Sequence, residues 1–206
     1  MLIRPAQPDD VHAVASLMYS SGPELYDFLY KFQDGDVLDY IRYEFLSGRG
    51  LCGHHNVTVA LVDEKVVATG CFYDGYMYKR LMLGSTLNIM RFFGPRKMWG
   101  VLLRANHVGS VMKPPQRDEL YLANFGVDAA MRGQGIGSRM LEQHICSARE
   151  SGYRTFALDV ASNNPRAQAL YHRLGLKVLK LKHFTGRRSG HQVPDSKKME
   201  LVFSPQ

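Results

Sequence analysis

The chain has 206 residues, of which 45% are hydrophobic and 22% charged, and its formal net charge is +7. This length suits one domain with a sizeable core, and the composition excludes disordered and fibrous classes. No apolar run approaches the roughly 18 residues that cross a bilayer, and the N-terminal residues carry no signal-peptide pattern. We therefore expect a single domain over residues 1–206, cytoplasmic and without stable membrane insertion.

The positive excess favours anionic partners in general: nucleic acid, membrane or phosphorylated small molecules. No RNP, zinc or helix-turn-helix pattern accompanies the charge, so a nucleic-acid-binding module would rest on charge alone, and no nucleic acid is expected. The three cysteines, Cys52, Cys71 and Cys146, are widely spaced and form no CxxC pair. They predict reduced, mostly buried thiols, with neither a disulfide framework nor a metal site.

Hydrophobic patterning in the N-terminal half predicts an edge strand at residues 1–4, two helices and a hairpin. Asp9 or Asp10 can cap the first helix, and Gly22-Pro23 stops it. The remaining predicted elements are a helix over about 36–47 and strands over 57–61 and 66–73.

The segment 74–117 has no clear periodicity. It is rich in Met, Phe, Leu and Arg, and Gly94-Pro95 and Pro114-Pro115 interrupt it. Proline and glycine at these points favour short helices over one regular element. We expect one or two helices here, as an excursion between the third and fourth strands.

The C-terminal half alternates between strand and helix patterns. It begins with a strand over 119–127 and a helix whose apolar residues recur every three or four positions. These apolar residues are Ile136, Met140, Leu141, Ile145 and Ala148. The elements after them are a strand at 155–160, a helix opened by Asn164-Pro165, and strands at 176–184 and 198–203. This order predicts an α/β fold with a mixed, partly parallel central sheet and helices on both of its faces.

Between the fourth strand and its helix stands the stretch RGQGIGS, residues 132–138. Glycines just before a helix let a phosphate approach its free N–H groups without a Cβ in the way. The stretch therefore predicts a phosphate or pyrophosphate cradle, or else a plain glycine-rich turn. A P-loop is excluded because no GK[ST] follows, and the third glycine comes one position early for a dinucleotide-binding fingerprint, although Asp159 stands near the place of its ribose-binding acid.

Two blocks resemble the GNAT (GCN5-related N-acetyltransferase) superfamily. The first is V-x-x-x-x-R-G-x-G-I-G from Val127 to Gly137, and the second is N-x-x-A-x-x-L-Y-x-x-x-G from Asn164 to Gly175. They stand in the family's order, and the order of elements upstream agrees over most of the chain. The resemblance implies a GNAT-type fold and an enzyme that moves an acetyl group from acetyl-CoA to a primary amine, by direct attack in a ternary complex and without a metal.

The resemblance also implies which residues bind acetyl-CoA. The strand end at Phe125, Gly126 and Val127 would lie along the pantetheine arm, with one N–H facing the thioester oxygen, and Gly126 would add flexibility there. Asn164 would contact the same arm as well as cap its helix. The implied pyrophosphate cradle consists of Arg132, Gly133, Gln134, Gly135, Ile136, Gly137 and Ser138.

For catalysis, the resemblance implies that Tyr171 is the general acid for the CoA thiolate; otherwise it is a core aromatic residue with its hydroxyl at the rim. The general base is Asp159, a water that Tyr121 and Asn124 position, or another group. A second hypothesis is a non-catalytic acyl-CoA-binding or regulatory domain on the same fold.

The sequence does not determine the amine acceptor or the segments that contact it. The acceptor is a small molecule or a protein N-terminus. The aromatic segment 20–34 either lines the acceptor pocket or is a packed helix end. The segment 74–117 is a lid over that pocket, a homodimer surface or a membrane-surface helix.

Overall fold

The computed structural model describes residues 1–32, 37–188 and 190–204, and this part of the chain forms seven strands and six α-helices. The strands β1 to β7 are Leu2–Pro5, Val57–Val62, Lys65–Tyr73, Glu119–Val127, Thr155–Ala161, Lys177–Lys182 and Ser196–Val202. The helices α1 to α6 are Val11–Ser20, Pro23–Tyr30, Val37–Leu46, Gly75–Val108, Ile136–Glu150 and Pro165–Arg173.

All seven strands belong to one sheet, in the order β1-β2-β3-β4-β5-β7-β6. The β4–β5 pair is parallel, and the other neighbouring pairs are antiparallel. The parallel pair needs a crossover, which α5 provides between the two strands. The predicted mixed, partly parallel sheet is confirmed.

Helices cover both faces of the sheet, and β5 shows how the core is divided between them. Phe156 and Leu158 of β5 are buried among residues of α5 and α6. Ala157, between them, is buried on the opposite face among residues of α1, α2 and α3. Successive side chains of a strand point to opposite faces, so β5 is apolar at every one of these positions. The predicted placement of helices on both faces is confirmed.

The helix α5 follows its predicted pattern. Its N-cap residue Gly135 is left-handed, with φ of 78°. Gly152, just past its end, has the same φ, as a glycine that terminates a helix commonly does. All five residues of the predicted apolar face are buried. The glycines therefore set both ends of a helix whose inner face is part of the main core.

The aromatic segment after α1 forms a separate helix, which the sequence pattern did not distinguish. Gly22-Pro23 ends α1 and also begins α2, because proline suits the first turn of a helix. Phe28 of α2 packs edge-on against Phe184, with ring centroids 5.1 Å apart. Residues 33, 34 and 36, which belong to the predicted segments 20–34 and 36–47, lie outside the described residues.

The predicted helical excursion between β3 and β4 is confirmed as α4. It is kinked at Gly94, which has φ of 74° and precedes Pro95. The helix packs against α2 and α3 at one side of the sheet. The residues that line the cleft described below include Val111 and Met112, which follow α4, but none of Gly75–Val108. The helix α4 thus flanks the cleft-forming elements without covering the cleft itself.

Candidate active site

A cleft opens where the two parallel strands separate. Their pairing runs from Glu119 opposite Thr155 to Leu122 opposite Leu158. Beyond this point β4 continues beside β3, and β5 continues beside β7. The resulting cleft has a volume of about 720 Å³ and is lined by both strand ends, by the glycine loop and by α6. An extended ligand can therefore lie between β4 and β5, where each strand has backbone without a strand partner.

A bulge in β4 produces this separation. Thr69 pairs with Gly126 and Cys71 with Ala123, so Asn124 and Phe125 together stand opposite a single residue of β3. Asn124 is left-handed, with φ of 51°. Bulges of this kind bend a strand and re-aim its backbone, often next to a binding site.

Gly126 is required at the bulge for a steric reason. A Cβ at this position would overlap the carbonyl oxygen of Leu17 in α1. The structure thus gives close packing of α1 on β4 in place of the flexibility expected from sequence. The neighbouring Phe125 and Val127 both line the cleft, on the strand end where the resemblance placed them.

The glycine loop presents free backbone N–H groups to solvent. Gly133 and Gly135 are left-handed, with φ of 85° and 78°, and no atom lies within 4 Å of the place where a Cβ would stand. The first helical hydrogen bond of α5 runs from the Arg139 N–H to the Gly135 carbonyl, at 3.0 Å. The N–H groups at 136–138 have no acceptor within the described chain. This arrangement is an open anion site at a helix N-terminus.

The other residues of the predicted cradle surround these amides. Ile136 is buried in the core, so only its backbone faces the loop. The guanidinium of Arg132 donates through Nε to the Val127 carbonyl at 3.0 Å, which fixes the arginine at the end of β4. Gln134 is exposed and donates to the sulfur of Met131 at 3.8 Å, and Ser138 is half-buried at the cleft wall.

The two residues predicted from the second block reach the same cleft. The Asn164 side-chain oxygen accepts from the Ala167 N–H at 3.1 Å, so the helix-capping role is confirmed. Tyr171 is buried in α6 and lines the cleft. Its hydroxyl makes no hydrogen bond to any residue that the structure describes. Burial raises the pKa of Tyr171 above its usual value, so the phenol keeps its proton at neutral pH.

Asp159 is held by a buried network. Both of its carboxylate oxygens accept from Lys182 Nζ, at 2.8 and 3.0 Å, and one also accepts from the Tyr121 hydroxyl at 2.8 Å. Lys182 and Ser196 donate in turn to the Val111 carbonyl, at 3.0 and 3.1 Å. The pair Asp159–Lys182 therefore ties the segment after α4 to the end of β5, at one wall of the cleft.

Asn124, the other residue proposed to position a water, lines the cleft and contacts two buried thiols. Its amide Nδ2 lies 3.3 Å from the sulfur of Cys52 and 3.7 Å from that of Cys71. Both cysteines are buried and free, whereas Cys146 is free and exposed. The bulge is thus anchored by side-chain contacts to β3 and to the loop before β2.

Sequence reasoning missed one residue of the cleft and one that supports its wall. Lys182 pairs with the cleft residue Asp159 without lining the cleft, and it lies in a strand whose pattern gave no sign of a buried ion pair. Glu24 stands in the first turn of α2 and lines the cleft, and it has no hydrogen-bond or ion-pair partner among the described residues. The acids in the cleft wall are Glu24 and Asp159, so Glu24 is the one whose carboxylate is not already paired. The sequence feature that could have indicated Glu24 is its position directly after Gly22-Pro23, in the first turn of a helix.

Separated parallel strands beside a glycine-rich helix N-terminus make this an α/β protein with an open groove that leads to free backbone amides. A family model described as "Acetyltransferase (GNAT) family" matches residues 22–176. The chain belongs to this family, and the resemblance stated from the two sequence blocks is confirmed.

Several known proteins are similar to the chain. [Ribosomal protein bS18]-alanine N-acetyltransferase of Escherichia coli K12 is 31% identical over 87 residues, which are 42% of this chain and 55% of that protein. The curated relatives are matched over 22% to 55% of their own length. An N-acetyltransferase structure from Staphylococcus aureus Mu50 has a TM-score of 0.66 at 19% identity, covering 98% of this chain and 100% of that one. The Salmonella typhimurium protein yncA, solved with its cofactor acetyl-CoA, has a TM-score of 0.56 at 19% identity, covering 100% and 95%.

Metal-ligating clusters and membrane-spanning helices are both missing from the described residues. This part of the chain contains no group of three or more His, Cys, Asp or Glu side chains arranged to hold a metal ion. Nor does any helix within it combine the length and apolarity that crossing a membrane requires.

Proposed function

We propose that this protein transfers an acetyl group from acetyl-CoA to a primary amine, by direct attack of the amine in a ternary complex. The observation that carries the proposal is the row of unbonded N–H groups at the start of α5, beside the gap between β4 and β5. Family membership and the similarity to N-acetyltransferases support the same chemistry.

The residues present fit acetyl-CoA, which supplies the acetyl group as a thioester. The amides of residues 133–138 would receive its diphosphate, because they are bare and no Cβ of Gly133 or Gly135 stands in front of them. The strand end at 125–127 would pair with the pantetheine arm as an added strand does. The amide nitrogen of Asn164 is left over from helix capping and faces the same cleft.

Tyr171 is the proposed general acid. Tyr171 lines the cleft and burial keeps its hydroxyl protonated, so it has a proton to give to the departing thiolate. An N–H of the strand end at 125–127 would stabilise negative charge on the thioester oxygen.

The acceptor amine is proposed to enter beside α2. Glu24 is the unpaired carboxylate of the cleft, and it would attract an amine that arrives protonated. The proton is then removed by Asp159 or by a water; the pairing of Asp159 with Lys182 favours the water, which Tyr121 and Asn124 are predicted to position. A small amine or a protein N-terminus satisfies this arrangement.

The first test of the proposal is calorimetry with acetyl-CoA together with a thiol-release assay over a panel of amines. Binding with turnover of at least one amine supports an enzyme. Binding without thiol release for any amine would favour the alternative, an acyl-CoA-binding regulatory domain. Absence of binding would contradict both.

A pair of glycine variants tests the cradle itself. Gly135 and Gly152 have the same φ of 78°, and at both positions a Cβ would stand in open space, so Asp strains the two positions equally. Gly135→Asp should weaken acetyl-CoA binding on the order of 10- to 100-fold, because it places a carboxylate at the diphosphate. Gly152→Asp, at the far end of α5, should leave binding unchanged. Equal affinities for the two variants would show that the diphosphate binds elsewhere.

Glu24→Gln tests the acceptor side. We expect the KM for the amine to rise about two- to fivefold, the range of an exposed ion pair, while the KM for acetyl-CoA stays constant. Steady-state kinetics with each substrate varied in turn measures both constants. An unchanged amine KM would remove Glu24 from acceptor recognition without affecting the cofactor site.

A further inference from the structure

The helix α4 exposes large apolar residues although part of its buried face is polar. A surface helix normally buries its apolar residues and exposes polar ones. In α4, Gly84, Ser85 and Asn88 are buried together with Ile89 and Val101. The large apolar residues Leu83, Trp99 and Leu103 are 63%, 64% and 69% exposed. These exposed side chains form an apolar surface that the core of the protein does not use.

Polar contacts fix α4 in this orientation. The Ser85 hydroxyl accepts from the Leu51 N–H at 2.9 Å and contacts the buried Glu44 carboxylate. Asn88 donates to the Ser47 hydroxyl at 3.0 Å and to the Arg49 carbonyl at 2.9 Å. Rotating the helix to bury its leucines would leave these buried polar groups unpaired, which is costly. The outward position of the apolar residues is therefore a stable property of the fold.

The backbone of α4 also lies so close to the loop before β2 that the helix cannot rotate about its axis. A Cβ on Gly84 would lie 2.6 Å from the Gly50 backbone nitrogen. Only glycine at position 84 permits this contact. The small, polar part of the inner face thus fits the loop, and the outer face is left to other contacts.

The exposed face of α4 is also strongly basic. Between Gly75 and Val108 the sequence has six Lys or Arg residues and no Asp or Glu. One of them, Arg104, turns inward and donates to the Leu29 carbonyl. The other five are exposed: Lys79, Arg80, Arg91, Arg96 and Lys97.

Basic and apolar residues alternate on the same surface. Tyr76, Arg80 and Leu83 are spaced i, i+4 and i+7, and all three are exposed. After the kink, Arg96, Trp99 and Leu103 are spaced i, i+3 and i+7. These intervals place each set along one side of a helix. Each half of α4 therefore presents cations and large apolar side chains together.

We propose that the exposed face of α4 docks on an anionic lipid surface. Phosphate headgroups would pair with the five exposed cations, and Leu83, Trp99 and Leu103 would enter the boundary between headgroups and acyl chains. This mode needs no membrane-spanning helix. It also makes no use of acetyl transfer, so it stands or falls independently of the function proposed above.

Charge argues against the two other occupants. A symmetric dimer would bring the same patch of each copy together, and α4 carries no acid to pair with its partner's cations. Nucleic acid would satisfy the cations, but its backbone gains nothing from aliphatic side chains such as Leu83 and Leu103. A lipid surface takes both kinds of residue.

The chain contains a built-in probe, because Trp99 is its single tryptophan. Titration of the full-length protein with phosphatidylglycerol vesicles should shift Trp99 emission to shorter wavelength, and the binding should weaken with salt. Phosphatidylcholine vesicles should give no shift. No shift with anionic vesicles, or equal shifts with both, would overturn the proposal, as would dimerisation or duplex DNA binding found without vesicle binding.

Two leucines provide a matched pair of variants. Leu103→Gln should remove most of the shift, whereas Leu179→Gln in β6, where the leucine is 57% exposed, should leave it intact. Arg91→Gln and Arg96→Gln should each weaken binding about fivefold. Circular dichroism confirms that each variant is folded. Equal loss of the emission shift in the two leucine variants would mean that the protein adsorbs nonspecifically to vesicles, and would overturn the proposal.

Discussion

The helices α5 and α4 differ in which of their residues are buried and which are exposed. In α5 the apolar residues Ile136, Met140 and Leu141 are buried, and the free N-terminal amides face the cleft. In α4 the buried face combines small and polar residues with Ile89 and Val101, and Leu83 and Leu103 face outward. The spacing of apolar residues in α5 follows from its contact with the sheet. In α4 the buried residues instead face the loop before β2 and the helices α2 and α3. Stability and cofactor binding are therefore expected on the α5 side, and surface contacts on the α4 side.

The largest expected effect concerns the chemistry on the α5–α6 side. Tyr171→Phe should lower kcat about 10²- to 10⁴-fold if the phenol is the general acid, since the variant keeps the ring but has no proton to donate. Tyr43→Phe in α3, beside α4, is the control, because Tyr43 packs on Phe92 away from the cleft. Rates for both come from the thiol-release assay, with acetyl-CoA affinity measured separately. Full turnover in Tyr171→Phe would reassign Tyr171 to core packing.

The next effect compares equal substitutions in the two helices. Leu141 of α5 is fully buried and Leu103 of α4 is exposed. Leu141→Ala should lower the free energy of unfolding by about 2–5 kcal/mol, through lost burial and the cavity left behind. Leu103→Ala should change it by less than about 0.5 kcal/mol. Denaturant titration of both variants measures the difference. Similar losses would mean that the outer face of α4 is covered in the folded protein.

The same contrast explains what the sequence could predict. The bounds of β4 and the apolar face of α5 were predicted correctly because both are repeated patterns imposed by the core. The glycine loop was recognisable because positive φ and close approach restrict residue choice. These features are written in local sequence, so a single chain suffices to find them.

Other features depend on contacts between distant segments. The bulge at Asn124 exists because α1 packs against Gly126 and β3 shifts register, and no spacing within β4 announces it. The pairing of Lys182 with Asp159 joins β6 to β5. These strands are separated along the chain by α6 and within the sheet by β7. The polar part of the buried face of α4 follows from its contacts with the loop before β2. The meeting of the glycine loop with Asn164 and Tyr171 at one cleft could be predicted, but the network that supports the cleft could not.

The smallest of these effects is a pH dependence of the free energy of unfolding, which arises where α5 packs on the sheet. The His144 ring stacks on Phe72, with centroids 3.5 Å apart, and its buried Nε2 has no partner among the described residues. Burial lowers the pKa of His144 from 6.5 to about 4. The folded protein therefore excludes a proton that the unfolded chain binds.

The sign of the effect follows from linkage. Above pH 6.5 the ring is neutral in both states and its contribution to stability is complete. As the pH falls from 6.5 to 4, only the unfolded chain takes up the proton, so up to about 3 kcal/mol of stability is lost. His144→Gln should flatten this part of the curve of unfolding free energy against pH, while His107→Gln, on the exposed side of α4, should not alter it. Denaturant titrations at several pH values between 4 and 7 measure the slopes. Equal slopes in wild type and His144→Gln would show that the ring is already solvated, and that α5 is less tightly closed on β3 than its packing indicates.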